Sequence, residues 1–121
     1  MPGKVVDASV LGALIFNEPR AAEAASLLND SDLYAPTLLA YELASVARKK
    51  ILLYPEQREA LLQALEIALA LDITWVEVDH PAVARLALET NLTTYDASYL
   101  YLSRHLNFPL ATFDERLGAA T

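Results

Sequence analysis

Four acidic residues stand in apolar settings along this chain of 121 residues. They are Asp7 in Val5-Val6-Asp7-Ala8-Ser9, Glu42 in Tyr41-Glu42-Leu43-Ala44-Ser45-Val46, Asp96 in Thr93-Thr94-Tyr95-Asp96-Ala97-Ser98-Tyr99-Leu100, and Asp114 in Leu110-Ala111-Thr112-Phe113-Asp114-Glu115-Arg116-Leu117. Oxygen-only ligands are what Mg²⁺ or Mn²⁺ prefer. A cluster of such carboxylates would hold one or two ions, activate a water and stabilise an in-line attack on phosphorus. Glu42 carries the strongest individual signal. Its helical neighbours Leu38, Leu39 and Val46 make an apolar face, where a carboxylate is costly unless it is paired or binds a cation.

Each residue also has a purely structural reading. Asp7 can cap a helix. Thr112 and Glu115 match a capping box, with Asp114 in a first turn that favours negative charge. Asp96 falls in the first turn of another helix. Glu42 can be a solvated edge or pair with Arg48, Lys49 or Lys50; those three bases suit a helix C-terminus, or contact phosphate. His80 and His105 are expected to be structural or exposed. Tyr95 and Tyr99, beside Asp96, are candidates for stacking on bases, and Arg116 is a candidate substrate contact.

The surrounding pattern alternates strands and helices. Lys4–Val6 reads as a first strand, followed by a helix over 8–16. Pro19 suits the first turn of a helix running through Ala21–Leu28. Leu33–Ala35 reads as a second strand, and Pro36 as the start of a helix to about Ile51. Tyr54-Pro55 breaks it, and Leu61, Leu62, Leu65, Ala68 and Leu69 recur at helical spacing in the next. Ile73–Val78 is rich in β-branched and aromatic residues and reads as a third strand. Pro81 starts a helix to Thr90, and Thr94 is placed to cap one over 95–106. Leu110–Thr112 reads as a fourth strand and Phe113–Ala119 as a last helix. The alternation predicts an α/β domain with a mostly parallel sheet, spanning 1–121 as a single unit. Function in such sheets gathers at the carboxyl ends of the strands.

Composition narrows the classes. Hydrophobic residues make up 55% of the chain, which excludes a disordered polar tail. There is no Cys, so disulfides and thiolate zinc sites are excluded. No apolar stretch approaches a membrane span, and no signal-peptide pattern opens the chain, so a cytoplasmic protein is expected. The net charge of −7 argues against gripping nucleic acid by bulk charge, but carboxylates gathered around metal ions reverse the local sign. Gly3, Gly12 and Gly118 are too scattered for a phosphate-cradling loop, and there is no Gly-x-Ser-x-Gly elbow. A phosphatase of the haloacid dehalogenase type would want an Asp where Ser9 stands. A phosphoacceptor receiver domain would want a Lys after a late strand, and no Lys follows Lys50.

The four blocks together resemble the acidic blocks of PIN domains, most closely VapC-type toxins of toxin–antitoxin pairs, in order and spacing across nearly the whole chain. The resemblance implies a three-layer α/β fold with a short central sheet flanked by helices. It implies a Mg²⁺- or Mn²⁺-dependent endoribonuclease that leaves 5′-phosphate and 3′-hydroxyl ends. Asp7, Glu42, Asp96 and Asp114 match the family's catalytic, metal-binding positions, and Ser9 and Thr112 match hydroxyl residues that orient them. It further implies a homodimer silenced by an antitoxin with a basic tail; the Leu- and Ala-rich helix pair over 36–71 is the candidate contact surface. The family usually continues into one more strand, which this chain lacks or barely begins. The rival reading is a non-catalytic PIN-like module whose acidic pocket binds a basic peptide or an RNA scaffold.

Overall fold

Val5 and Val6 lie fully buried in the computed structural model, which describes residues 2–121. Their strand, β1 (Gly3–Val6), pairs in parallel with β2 (Asp32–Pro36) on one side and with β4 (Leu110–Ala111) on the other. β3 (Ile73–Val76) adds outside β2, also parallel, giving the order β3-β2-β1-β4. A strand covered on both faces reads as a continuous apolar run, as Val5-Val6 does at the end of β1.

The connections follow from handedness. Steps from β1 to β2 to β3 run one way across the sheet, and right-handed crossovers place all their helices on one face. These are α1 (Ala8–Ile15), α2 (Ala21–Leu28), α3 (Leu38–Leu53) and, after a 3₁₀ turn at Pro55–Gln57, α4 (Arg58–Leu69). The return from β3 to β4 runs the other way, so α5 (His80–Thr90) and α6 (Thr94–Leu106) cover the opposite face, followed after β4 by α7 (Glu115–Ala120). The packing agrees: α1 meets α2, α3 and α4, while α6 meets α5 and α7. Leu11, Leu39 and Leu43 fill one side of the sheet, and Leu100, Leu102 and Leu117 the other. Asn91 and Asn107 end α5 and α6 in the left-handed region, which Asn enters more readily than most residues.

Several local expectations need correction. Pro36 closes β2 rather than opening α3, and β3 ends at Val76, short of Val78. Pro19 precedes α2, whose N-cap is Arg20. Thr93, not Thr94, caps α6, accepting the Asp96 amide at 3.1 Å. Thr112 does not cap the last helix. Asp114 does, because the Thr112 hydroxyl is engaged by Asp7. Among the described residues no helix is long and apolar enough to cross a membrane.

Gly3 is required by close approach. A Cβ there would lie 2.6 Å from the Phe108 ring, which also packs against Tyr34. Gly12 in α1 is different, since its nearest neighbours would be 3.9 Å away. Gly3→Ala is therefore expected to cost ~1–3 kcal/mol by overpacking. Gly12→Ala should be neutral or stabilise by up to ~1 kcal/mol through helix propensity. Denaturant unfolding of the two variants checks the pair; a tolerated Gly3→Ala would show that Phe108 is free to move.

Candidate active site

Asp7 leaves the carboxyl end of β1, and Thr112 and Asp114 follow the end of β4. The chain reverses its direction of travel across the sheet between these two neighbouring strands, where open α/β sheets form their binding crevices. α3 and α6 bring Glu42 and Asp96 to the same place from opposite faces. Asp7, Glu42, Asp96 and Asp114 all line one cavity of about 140 Å³, together with Ser9 and Tyr99. That is below the ~300 Å³ at which organic ligand sites begin, and suits ions and water.

Asp7 is 5% exposed and heavily bonded. Its Oδ1 accepts from the Ser9 hydroxyl at 2.7 Å and from the Val10 amide at 3.2 Å. Its Oδ2 accepts from the Thr112 hydroxyl. The two hydroxyls in turn accept backbone amides, Ser9 from Phe113 at 2.9 Å and Thr112 from Asp114 at 3.0 Å. Both orienting residues thus tie the segment after β4 to the end of β1 through a single carboxylate. Asp7 caps α1 at the same time, and Asp114 caps α7 by accepting the Leu117 amide at 2.8 Å.

Glu42 is half-buried and accepts from the Tyr99 hydroxyl. Of its expected alternative partners, Lys50 pairs instead with Glu18 at 2.7 Å. Stacking on bases is ruled out for Tyr99. Its ring is 1% exposed, and its role is to hold Glu42. Tyr99 follows Asp96 by three residues, so the two share a helix face, which was the available sequence signal. Tyr95 is exposed. Arg116 donates to the Asn91 carbonyl at 2.8 Å, and its charge favours the ionised form of Asp96. His80 and His105 lie outside the acidic pocket; His105 stacks on Tyr101.

The electrostatics record the crowding. Burial pushes the Asp7 carboxyl up, against the lowering effect of its hydrogen bonds. Burial also raises Glu42, with Asp7 and Asp96 adding to the shift and the Tyr99 bond opposing it. Asp96 rises for the same first reason, then through the charges of Asp114 and Asp7. Burial and the Glu42 charge drive the Tyr99 phenol far above its ordinary value, so it stays protonated and donates. Among the described residues no three acidic or histidine side chains form a ready-made ion cage. The four instead surround a shared space.

Residues 4–121 match the model of the PIN domain family. The chain is 34% identical to ribonuclease VapC3 of Pyrobaculum aerophilum, over 94% of this chain and 91% of that protein. It is 35% identical to ribonuclease VapC1 of Mycobacterium tuberculosis, over 96% of this chain and 89% of that protein. A crystal structure of PAE2754 from Pyrobaculum aerophilum superposes with a TM-score of 0.81 at 29% identity, covering 99% of this chain and 80% of that one.

Raised carboxyl pKa values make the folded state bind more protons than the unfolded state. Their stabilising effect is complete below the unfolded carboxylate range of about 4 and is lost as pH rises through the higher folded values. In metal-free buffer, Asp96→Asn should therefore match or exceed the parent in stability at pH 7. Its advantage should shrink as the pH falls toward 4. Urea unfolding across that range reads the difference. A clear loss of stability in the variant at pH 7 would mean that Asp96 serves chiefly the first turn of α6.

Proposed function

The chain belongs to the PIN domain family, and on that premise we propose that it is a Mg²⁺- or Mn²⁺-dependent endoribonuclease of the VapC type. The observation that carries the reading is the convergence of Asp7, Glu42, Asp96 and Asp114 on one pocket. The donor set fits a hard divalent cation, being all oxygen and electrostatically crowded. When bound by these four carboxylates, the ion supplies an activated water and neutralises charge on the phosphate.

The protein's own residues do the positioning. Ser9, Thr112 and the Val10 amide fix both oxygens of Asp7, so little reorganisation is left for the moment of reaction. Tyr99 fixes one oxygen of Glu42. Asp114 is the exposed member of the four, while Glu42 and Asp96 are half-buried.

The proposal extends to partners. Tyr41, Leu52, Leu53 and Ile67 on α3 and α4 are exposed, which supports this helix pair as a homodimer surface. The acidic pocket suits the Arg of a basic antitoxin tail, since a guanidinium makes paired bonds to carboxylates. A cytoplasmic setting, where RNA is available, is part of the same reading.

Incubation with defined structured RNAs and Mn²⁺ tests the activity. The parent should cleave, and EDTA or Asp7→Asn should abolish cleavage. Tyr99→Phe should lose roughly 10- to 100-fold, the usual effect of removing a group that orients a metal ligand. Cleavage that survives in Asp7→Asn would sink the proposal. An inert parent that still binds a basic peptide would favour the binding module.

Light scattering on the isolated protein at tens of micromolar should report a dimer. A monomer there would remove α3 and α4 as the contact surface.

A further inference from the structure

A second cavity, of about 300 Å³, opens at the same end of the sheet. It lies beyond the carboxyl ends of β2 and β3, whereas the acidic pocket lies beyond those of β1 and β4. The two share their helices. On α3, Leu38 lines the apolar cavity and Glu42, one turn on, lines the acidic pocket. On α6, Tyr95 and Ser98 face the first while Asp96 and Tyr99 face the second. A ligand lying across the strand ends would occupy both.

The lining specifies the chemistry of the occupant. Pro36, Val78 and Val83 provide apolar walls. His80 and Tyr95, both aromatic, line the cavity, and Tyr95 is 63% exposed. Thr37 and Thr94 add hydroxyls, and the Ser98 hydroxyl donates to the Tyr95 carbonyl at 2.6 Å, which steadies that turn. No Asp, Glu, Lys or Arg lines it. A bare phosphate would find no cation here, and a basic side chain would be drawn to the four carboxylates next door. A flat, neutral ring with polar edges fits both the walls and the hydroxyls. The volume falls at the lower end for organic ligand sites.

We propose that this cavity is a nucleobase subsite, taking an unstacked base of the nucleotide next to the cleaved phosphate, with Tyr95 and His80 as its stacking surfaces. Single-stranded RNA is recognised in this way, by bases splayed onto aromatic side chains and bonded at their edges. The inference rests on the ribonuclease reading for its phosphate neighbour. It assigns sequence preference to the β2/β3 end of the site, at residues that do not line the acidic pocket. His80 and Tyr95 become specificity-determining residues.

The experiment separates the two readings. Ring-proton NMR of the full chain in EDTA follows His80 and Tyr95 during titration with AMP, GMP, CMP, UMP and ribose 5-phosphate. At least one nucleotide should shift both rings upfield, and ribose 5-phosphate should not. Tyr95→Ala should abolish the effect on His80, and Tyr95→Phe should keep it. Both changes are at an exposed position, so folding is not at stake. In Mn²⁺, Tyr95→Ala should lower kcat/KM on the preferred RNA by roughly 5- to 150-fold, the range for one lost base stack. It should also flatten the preference among RNA sequences.

Equal shifts with all five ligands, or none, would overturn the subsite. So would a Leu- or Phe-bearing peptide that moves both rings while the nucleotides do not. The ribonuclease reading fails separately, through a parent that cuts no RNA even though nucleotides move the rings.

Discussion

The buried carboxylate of Asp7 is the constraint on which the rest of the site depends. Burying an ion costs several kcal/mol even after relaxation. Hydrogen bonds to a charged acceptor each return about 1.5–3 kcal/mol. Asp7 accepts three, from Ser9, Val10 and Thr112, so the two effects are of similar size. Burial still wins, since the pKa lies above its ordinary value. The same bonds hold the segment after the two-residue strand β4 against β1. A strand that short has little ladder of its own, and the hydroxyl relays through Ser9 and Thr112 supply the missing ties.

Negative charge is then added to this frame. Asp7 and Asp96 both disfavour the ionised form of Glu42, and Asp114 and Asp7 disfavour that of Asp96. A fold selected for stability alone would not collect such groups in one pocket. The local relief is partial: Arg116 faces Asp96, and Tyr99 donates to Glu42. Arg20 is occupied with Glu23 and the Phe113 ring, and Lys50 with Glu18. These two cations are thus engaged outside the acidic pocket.

Helix capping and candidate chemistry are carried by the same atoms. Asp7 caps α1 and Asp114 caps α7, and each lines the pocket. A cap places a carboxylate at the start of a helix, and in a parallel sheet a helix starts where a strand has just ended. The structural and functional readings of these residues therefore coincide rather than compete. Asp96 lies in the first turn of α6, which follows α5 rather than a strand. Glu42 is the exception: it lies mid-helix, and only Tyr99, 57 residues away in sequence, makes its half-burial tolerable.

Much of this was legible in the residues themselves. Alternating apolar runs specified the parallel α/β order, because strand and helix periodicities differ and the punctuation by Pro and Asn is local. Asp7 and Asp114 were legible at strand ends and Glu42 on an apolar face, all sequence properties; Asp96, in a helix's first turn, was legible only beside the other three blocks. Boundaries and hydroxyl partners were not. Whether Thr93 or Thr94 caps α6, and whether Thr112 caps a helix or holds Asp7, depends on which acceptor lies within reach, and the nearest one for Thr112 is 105 residues away. Nor did the sequence separate Tyr95 from Tyr99: four residues apart on α6, they share a helix face, and Tyr95 stands one turn nearer the helix start. The packing of α6 on the sheet buried one ring and left the other at a cavity whose walls come from β2, α3 and α5. Local chemistry selected the residue types; burial, a property of the whole chain's packing, decided which of them are free to meet a ligand.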